Sequence, residues 1–347
     1  MVTMKDVGRE AGVSAMTVSN VLRGNDNVAP ETAMRVRAAA DKLHYRLNTT
    51  SLSARSLRAS TSRTRTERGT IGLAIFELDR PYPSQLASLI SQVAEDRGYQ
   101  TVVQQTRIDE NNERSIIERV TNQFCDGLIF SSSRLSANEI EQLSNHRPTV
   151  LLDDDRPQQD IDTILTPCIA GARKAIEYLY GLGRRRIGIM GGSVIADGMP
   201  EARGRNTRDR RFEGCRQAFD RLGMDWDSAC IIPTSWNDTD ARQAVHYHET
   251  LIRQCDALFC MTDTVAFGTL RGLKDLDISV PDDMAVIGFD GIAMGAMTVP
   301  SLTTIAVDVD FIAKQAVDLL IKRINYEPDL PHQRIVAGYH IEHRESA

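Results

Sequence analysis

The stretch Gly12-Val13-Ser14-Ala15-Met16-Thr17-Val18-Ser19-Asn20-Val21-Leu22-Arg23-Gly24 reads as a turn followed by one short helix with a usable outer face. Ser14 is placed to cap the helix by accepting free amides of its first turn, and Gly24 to end it in a left-handed conformation. Val18, Val21 and Leu22 lie at helical spacing and face inward. Met16, Asn20 and Arg23 then fall on the opposite side, with Ala15 at the exposed start. Working outward, a helix opening at Thr3-Met4-Lys5-Asp6, with Thr3 and Asp6 spaced as a capping pair, ends near Gly12 and braces the second helix. Pro30 sits where a first-turn proline is tolerated and introduces a helix over 31–43, with Val36, Ala40 and Leu43 as its apolar stripe. Three such helices just close a core, and the first two form a helix-turn-helix whose outer face can reach base edges. A helical hairpin inside a larger core is the other reading of the pattern.

Charge favours the first reading. The 347 residues carry a net charge of −6, but residues 1–70 hold 12 Lys and Arg against 6 Asp and Glu, leaving 29 against 41 for the rest. A basic head on an acidic body is the footprint of a chain in which only the head meets phosphate. Cysteines at 125, 168, 215, 230, 255 and 260 show neither a Cys-x-x-Cys pair nor zinc-ligand spacing and read as buried thiols, so neither a metal nor a cofactor is expected. With no signal-like or bilayer-length apolar run, the expected place is the cytoplasm, without a membrane partner.

Residues 49–69, rich in Ser, Thr and Arg, form a linker by composition, in which Leu52 to Arg58 has the makings of one or two helical turns, too few to persist alone. From Thr70 the texture changes. Apolar runs at 71–76, 101–104, 127–131, 149–152, 187–190, 257–261 and 285–289 read as buried strands, and amphipathic helices at 84–97, 113–123, 169–182, 210–222, 239–254 and 265–276 lie between them. Alternation of strand and helix implies parallel sheets covered on both faces, and the length favours two α/β lobes over one sheet.

Catalysis finds little support. There is no Gly-x-Ser-x-Gly, His-Glu-x-x-His or phosphate-cradling loop. Asp153-Asp154-Asp155 reads as an acidic strand end, and His246 and His248, two apart, point to different sides of a helix. Gly191-Gly192-Ser193 lacks dinucleotide spacing and reads as a turn.

With these residues in hand, the chain resembles the lactose-repressor (LacI-type) family of bacterial transcriptional regulators from Thr3 to about Arg344. Lys5-Asp6-Val7, Ala11-Gly12-Val13-Ser14, Thr17-Val18-Ser19, Val28 and Thr32 match its head, and Ala54-Arg55-Ser56-Leu57 its hinge helix. In the body Asp126-Gly127-Leu128-Ile129, Gly191-Gly192, Arg211-x-x-Gly214, Gly288-Phe289-Asp290 and Pro300-Ser301-Leu302-Thr303-Thr304 fall in the family's order. The resemblance implies an all-α helix-turn-helix head at 1–48, a hinge helix and linker at 49–69, and an α/β two-lobed body at 70–347, like the periplasmic sugar-binding fold. The lobe boundaries expected are 70–167 with 299–327 for the first lobe and 168–298 with 328–347 for the second.

In function, the resemblance implies a homodimer that binds a near-palindromic operator in double-stranded DNA and represses carbohydrate-utilisation genes under a sugar-like effector held between the lobes. An activator, a regulator of the same architecture sensing a phosphorylated or non-sugar signal, and a free-standing transport protein are the alternatives. The matching positions put Ala15, Met16 and Asn20 on bases and Ser14, Thr17, Asn27, Thr32 and Tyr45 on the DNA backbone. Arg55 lies in the hinge, with Leu57 as its minor-groove wedge. Asn20 replaces an arginine common there, which moves the preference from guanine toward adenine. Asn48 lies further before Ala54 than is usual in the family.

The effector positions carried over are Tyr82, Asp153, Arg211, Trp236, Thr262 and Asp290, a set suited to a polyol: aromatic faces stack on a sugar ring while Arg and Asp clamp its hydroxyls. Asp79 and Arg80 are weaker candidates, and Thr262 stands where an asparagine is frequent. Plain packing is the other reading of Met16 and Trp236, and a surface ion pair that of Arg211 with Asp290. The basic run 203–211 reads first as a solvated loop, with a patch for an anionic ligand as the alternative.

Overall fold

The computed structural model describes residues 4–22, 30–43, 69–107, 109–131, 134–156, 161–192, 206–226, 229–325 and 330–347. The chain divides into two compact units, Met1–Glu67 and Arg68–Ala347.

In the first unit α1 (Met4–Ala11), α2 (Ala15–Leu22) and α3 (Pro30–Lys42) close on Val7, Ala11, Val18, Val21, Val36, Ala39 and Ala40. The turn between α1 and α2 is held by the Val13 amide, which donates to Gly8 O at 2.9 Å. Gly12 takes φ +66° there, a left-handed conformation in which a Cβ is penalised. Ser14 caps α2 as expected, its Oγ accepting from the Thr17 amide at 3.1 Å. Lys42 Nζ stands 2.7 Å from Glu10 Oε1 and ties the end of α3 to α1. Thr3, Arg23, Gly24 and the hinge helix lie outside the described residues.

The second unit holds two six-stranded sheets. One contains β1 (Gly69–Ile75), β2 (Tyr99–Gln105), β3 (Gly127–Ser131), β4 (Thr149–Leu152), β5 (Asp162–Leu165) and β11 (Arg334–Val336), in the order β2-β1-β3-β4-β5-β11. The other contains β6 (Ile187–Gly192), β7 (Cys230–Pro233), β8 (Ala257–Cys260), β9 (Ala285–Asp290), β10 (Thr303–Val307) and β12 (Tyr339–Glu342), in the order β7-β6-β8-β9-β10-β12. Every pairing is parallel except β10 with β12. Both lobes therefore repeat one doubly wound topology, in which ligands bind beyond the carboxyl ends of the strands. The helices of at least seven residues are α4 (Pro81–Asp96), α5 (Glu110–Ile116), α6 (Ala137–Leu143), α7 (Cys168–Gly181), α8 (Thr207–Leu222), α9 (Asp238–Tyr247), α10 (Asp263–Asp275) and α11 (Val309–Ile324). β3, β4, β8, β9 and β10 are buried at every residue, as parallel strands covered on both faces must be.

The expected lobe boundaries need correction. The resemblance places residues 299–327 whole in the first lobe, but β10 pairs with β9 in the second sheet, and only α11 packs on the first. It places residues 328–347 whole in the second, but β11 pairs with β5 in the first sheet. The reason is that the chain crosses between lobes three times, after β5, after β10 and between β11 and β12. These crossings are bonded to one another: Ala337 N donates to Leu165 O at 2.9 Å and Asp308 N to Gly338 O at 3.0 Å. Five of the six cysteines are buried as expected, whereas Cys230 is half-buried at the start of β7. Among the described residues no helix is long and apolar enough to cross a membrane.

Helices α7 and α8 pack so closely that a Cβ on Gly214 would collide with the Ile169 carbonyl. Gly214→Ala is expected to cost the body about 1–3 kcal/mol, read as a lower urea midpoint with unchanged slope. An unchanged midpoint would contradict that packing.

Candidate functional site

The first unit presents one side of α2 outward. Val18 and Val21 are buried, while Met16 is 72% exposed, so its packing alternative is overturned. Ala15, Thr17 and Asn20 are half-buried beside it, Ser14 is exposed, and Thr32 is half-buried on α3. Thr17 Oγ1 lies 2.9 Å from Ser14 Oγ, so the two hydroxyls form one polar corner at the start of the helix. Met34 on α3, 64% exposed, was not singled out by the sequence. Asn27, Tyr45, Arg55 and Leu57 lie outside the described residues.

In the second unit the candidate ligand residues gather at the carboxyl ends of both sheets. Asp153 follows β4, Trp236 follows β7, Thr262 follows β8 and Asp290 ends β9, while Tyr82 lies in the first turn of α4 and Arg211 early in α8. Asp153 and Asp290 hold φ of +59° and +129°, backbone that costs a non-glycine residue roughly 1–3 kcal/mol and concentrates at binding sites. Asp153 Oδ1 accepts from Thr166 N and Thr166 Oγ1, both at 2.7 Å. It also accepts from Arg210 Nη2 at 3.1 Å, a bond that joins the second lobe to the first. Arg80 makes a further tie: its guanidinium pairs with Glu77 and donates to Trp236 O in the opposite lobe.

Arg211 Nη2 meets Asp290 Oδ1 at 3.0 Å, and its other terminal nitrogen donates to Met261 O. The guanidinium carbon lies 3.7 Å from the Phe289 ring centroid and 5.2 Å from that of Trp236. The ion pair proposed as an alternative does form, but with side chains only 3% and 5% exposed, not on the surface. Trp236 packs partly on the core and donates from Nε1 to Gly191 O at 3.0 Å, with its ring bordered by arginines. Thr262 has a structural task, its Oγ1 accepting from Val265 N at 3.1 Å to cap α10. The solvated-loop reading fails for 207–211, which are helical, with Arg210 and Arg211 each 2% exposed. Sequence reasoning missed Arg210 and Arg208 as individual site residues. Their signal was the density of arginine in that run.

Burial shapes the electrostatics. The Tyr82 hydroxyl is buried without a partner, and burial, then the Asp153 and Asp290 charges, push its ionisation well up, so it stays a neutral donor. Burial pushes the Asp290 carboxyl up to about 7 against the pull of Arg211. Behind it, burial pushes Asp263 up to about 6, although Thr304 Oγ1 at 2.6 Å and the amides of Gly291 and Ile292 at 2.9 and 2.7 Å hold its carboxylate.

Comparison with known proteins follows this division. Residues 3–48 match the bacterial regulatory proteins, lacI family, and residues 176–347 the periplasmic binding protein-like domain. The ribose operon repressor of Escherichia coli (strain K12) is 31% identical over 337 residues, 96% of each chain. The chain belongs to the LacI family. It is a DNA-binding transcriptional regulator and not an enzyme. The repressor PurR of Haemophilus influenzae (strain PittEE) is 27% identical over 331 residues, 95% of this LacI-family chain and 93% of the relative. A LacI-family regulator from Enterococcus faecium, solved with bound ribose, superposes with a TM-score of 0.68 at 26% identity, over 80% of this chain and 98% of the other.

The raised carboxyls make a pH signature. In the folded state Asp263 and Asp290 bind protons that the unfolded chain, near its ordinary value of 3.8, has released. Their ionisation therefore lowers stability as pH rises from about 4 through about 7. Thermal midpoints of the ligand-free protein are expected to be higher near pH ~5.5 than near pH ~7.5, with a smaller difference in Asp290→Asn. A midpoint that climbs across this window would contradict the burial of these groups.

Proposed function

We propose that this LacI-family regulator represses carbohydrate-utilisation genes from the cytoplasm, as a homodimer whose operator affinity is set by a sugar-like ligand held between the lobes. The observation that carries the reading is the set of Tyr82, Asp153, Arg210, Arg211, Trp236 and Asp290 at the carboxyl ends of two parallel sheets. It joins aromatic surface to charged clamps, the combination that recognises a sugar ring and its hydroxyls. The ribose operon repressor's identity across nearly the whole chain, and the ribose found in the Enterococcus faecium regulator, support the ligand class.

On the DNA side, Ala15, Met16 and Asn20 of α2 read bases while Ser14, Thr17 and Thr32 contact phosphates. An exposed methionine suits apolar contact with a thymine methyl, and asparagine suits adenine. For self-association, Met294, Met297 and Val299 between β9 and β10 are 56%, 80% and 96% exposed and supply apolar surface for a second copy to cover.

Three measurements test the reading. In competition binding with the protein's own promoter region, Met16→Ala or Asn20→Ala is expected to lose about 1–3 kcal/mol of discrimination at one base-pair position per half-site. Equal loss on specific and random DNA would oppose the base-reading role. Sedimentation is expected to find a dimer that Met297→Glu combined with Val299→Glu weakens, and an unaltered dimer would remove that surface from the interface. Sugars are expected to change operator affinity in the wild type, and Trp236→Ala to blunt the response. A regulator indifferent to every sugar would overturn the ligand class.

A further inference from the structure

Three arginines, Arg208, Arg210 and Arg211, stand within the first five residues of α8. Asn206 caps this helix by accepting from Asp209 N at 2.9 Å, so the amino terminus itself adds positive potential. Arg210 and Arg211 are spoken for by Asp153 and Asp290. Arg208 is not. Its guanidinium carbon lies 5.5 Å from the Trp236 ring centroid, its Nε is buried without a hydrogen-bond partner, and no carboxylate pairs with it among the described residues. The Nε atoms of Arg210 and Arg211, both on residues 2% exposed, are buried without partners as well.

Arg80, Arg208, Arg210 and Arg211 gather around Trp236; Arg80 is answered by Glu77 and Asp240, Arg210 by Asp153 and Asp155, and Arg211 by Asp290, while Arg208 has no paired carboxylate among the described residues. Asp263 is engaged by Thr304, Gly291 and Ile292 and is not free to serve Arg208. Asp290 is taken up by Arg211 at 3.0 Å and is likewise not free to serve Arg208. A cation held in such a place is costly until an anion joins it, and a neutral hydroxyl accepts its hydrogen bonds without cancelling its charge.

We propose that the ligand between the lobes carries an anionic group, a phosphate ester or a carboxylate on a sugar, and that Arg208 is the specificity-determining residue that receives it. The inference rests on the carbohydrate reading and narrows it. The planar guanidinium bonds an oxyanion through two parallel N–H groups, the helix amino terminus favours the same charge, and the free Tyr82 hydroxyl offers a neutral donor nearby.

The test is calorimetry on the full chain with a panel of pentoses, hexoses and disaccharides, each beside its phosphate ester and its sugar acid. At least one anionic member is expected to bind tenfold or more tighter than its neutral counterpart, roughly the effect of one charge-assisted contact. Arg208→Gln is expected to weaken that member about a hundredfold and bring it near the neutral sugar, while Arg208→Lys keeps most of the preference. Whether the ester or the acid wins identifies the anion. Neutral sugars that bind as tightly as their anionic counterparts, in wild type and Arg208→Gln alike, overturn this inference and leave the carbohydrate reading standing. Failure of every sugar, neutral and anionic, overturns both.

Discussion

Two neighbouring guanidinium groups, on Arg210 and Arg211, are buried where the two lobes of the body meet, and charge in that setting is tolerable only beside an opposite charge. The first lobe supplies Asp153 and the second Asp290, each from the carboxyl end of a central parallel strand and each on left-sided backbone. The demand propagates outward. β4 and β9 must end in register with the start of α8, which the repeated doubly wound topology arranges, and α8 must sit hard against α7, which Gly214 permits.

The same arrangement says what a ligand has to do. The cross-lobe bonds of Arg210 to Asp153 and of Arg80 to Trp236 occupy groups suited to hold a sugar, and on the proposed reading a sugar that takes up those groups replaces these bonds. It shifts the balance between lobe arrangements only by the difference between what it gains and what those bonds supplied. An uncompensated Arg208 enlarges that difference for an anion.

Much of this was legible in the sequence because the signals were local. Ser14, Gly12, Val18 and Val21 fix a capped turn and an inward stripe within a dozen residues, and β1 to β4, β6, β8 and β9 show as apolar runs, whereas the fully buried β10 does not. What escaped was set by tertiary context. β5, β7 and β11 are three or four residues long, and β10 and β11 lie in the sheets opposite to the lobes that the resemblance implied for them. Asp153, Arg211, Trp236 and Asp290 were found by resemblance and do gather at one place. Arg210 was hidden in a basic run, because which of several adjacent arginines turns inward depends on the partner waiting in the other lobe. Thr262 was placed with the ligand residues, yet its oxygen is engaged by the helix it caps, a use that spacing alone does not reveal.

The bond between Arg210 and Asp153 ties a buried guanidinium of one lobe to a carboxylate of the other. A double-mutant cycle of Arg210→Gln and Asp153→Asn, read by thermal unfolding of the ligand-free protein, tests it most directly. A coupling of at least about 1 kcal/mol is expected for a charge pair withdrawn from water. Strict additivity of the two substitutions would contradict the claim that this ion pair holds the lobes together.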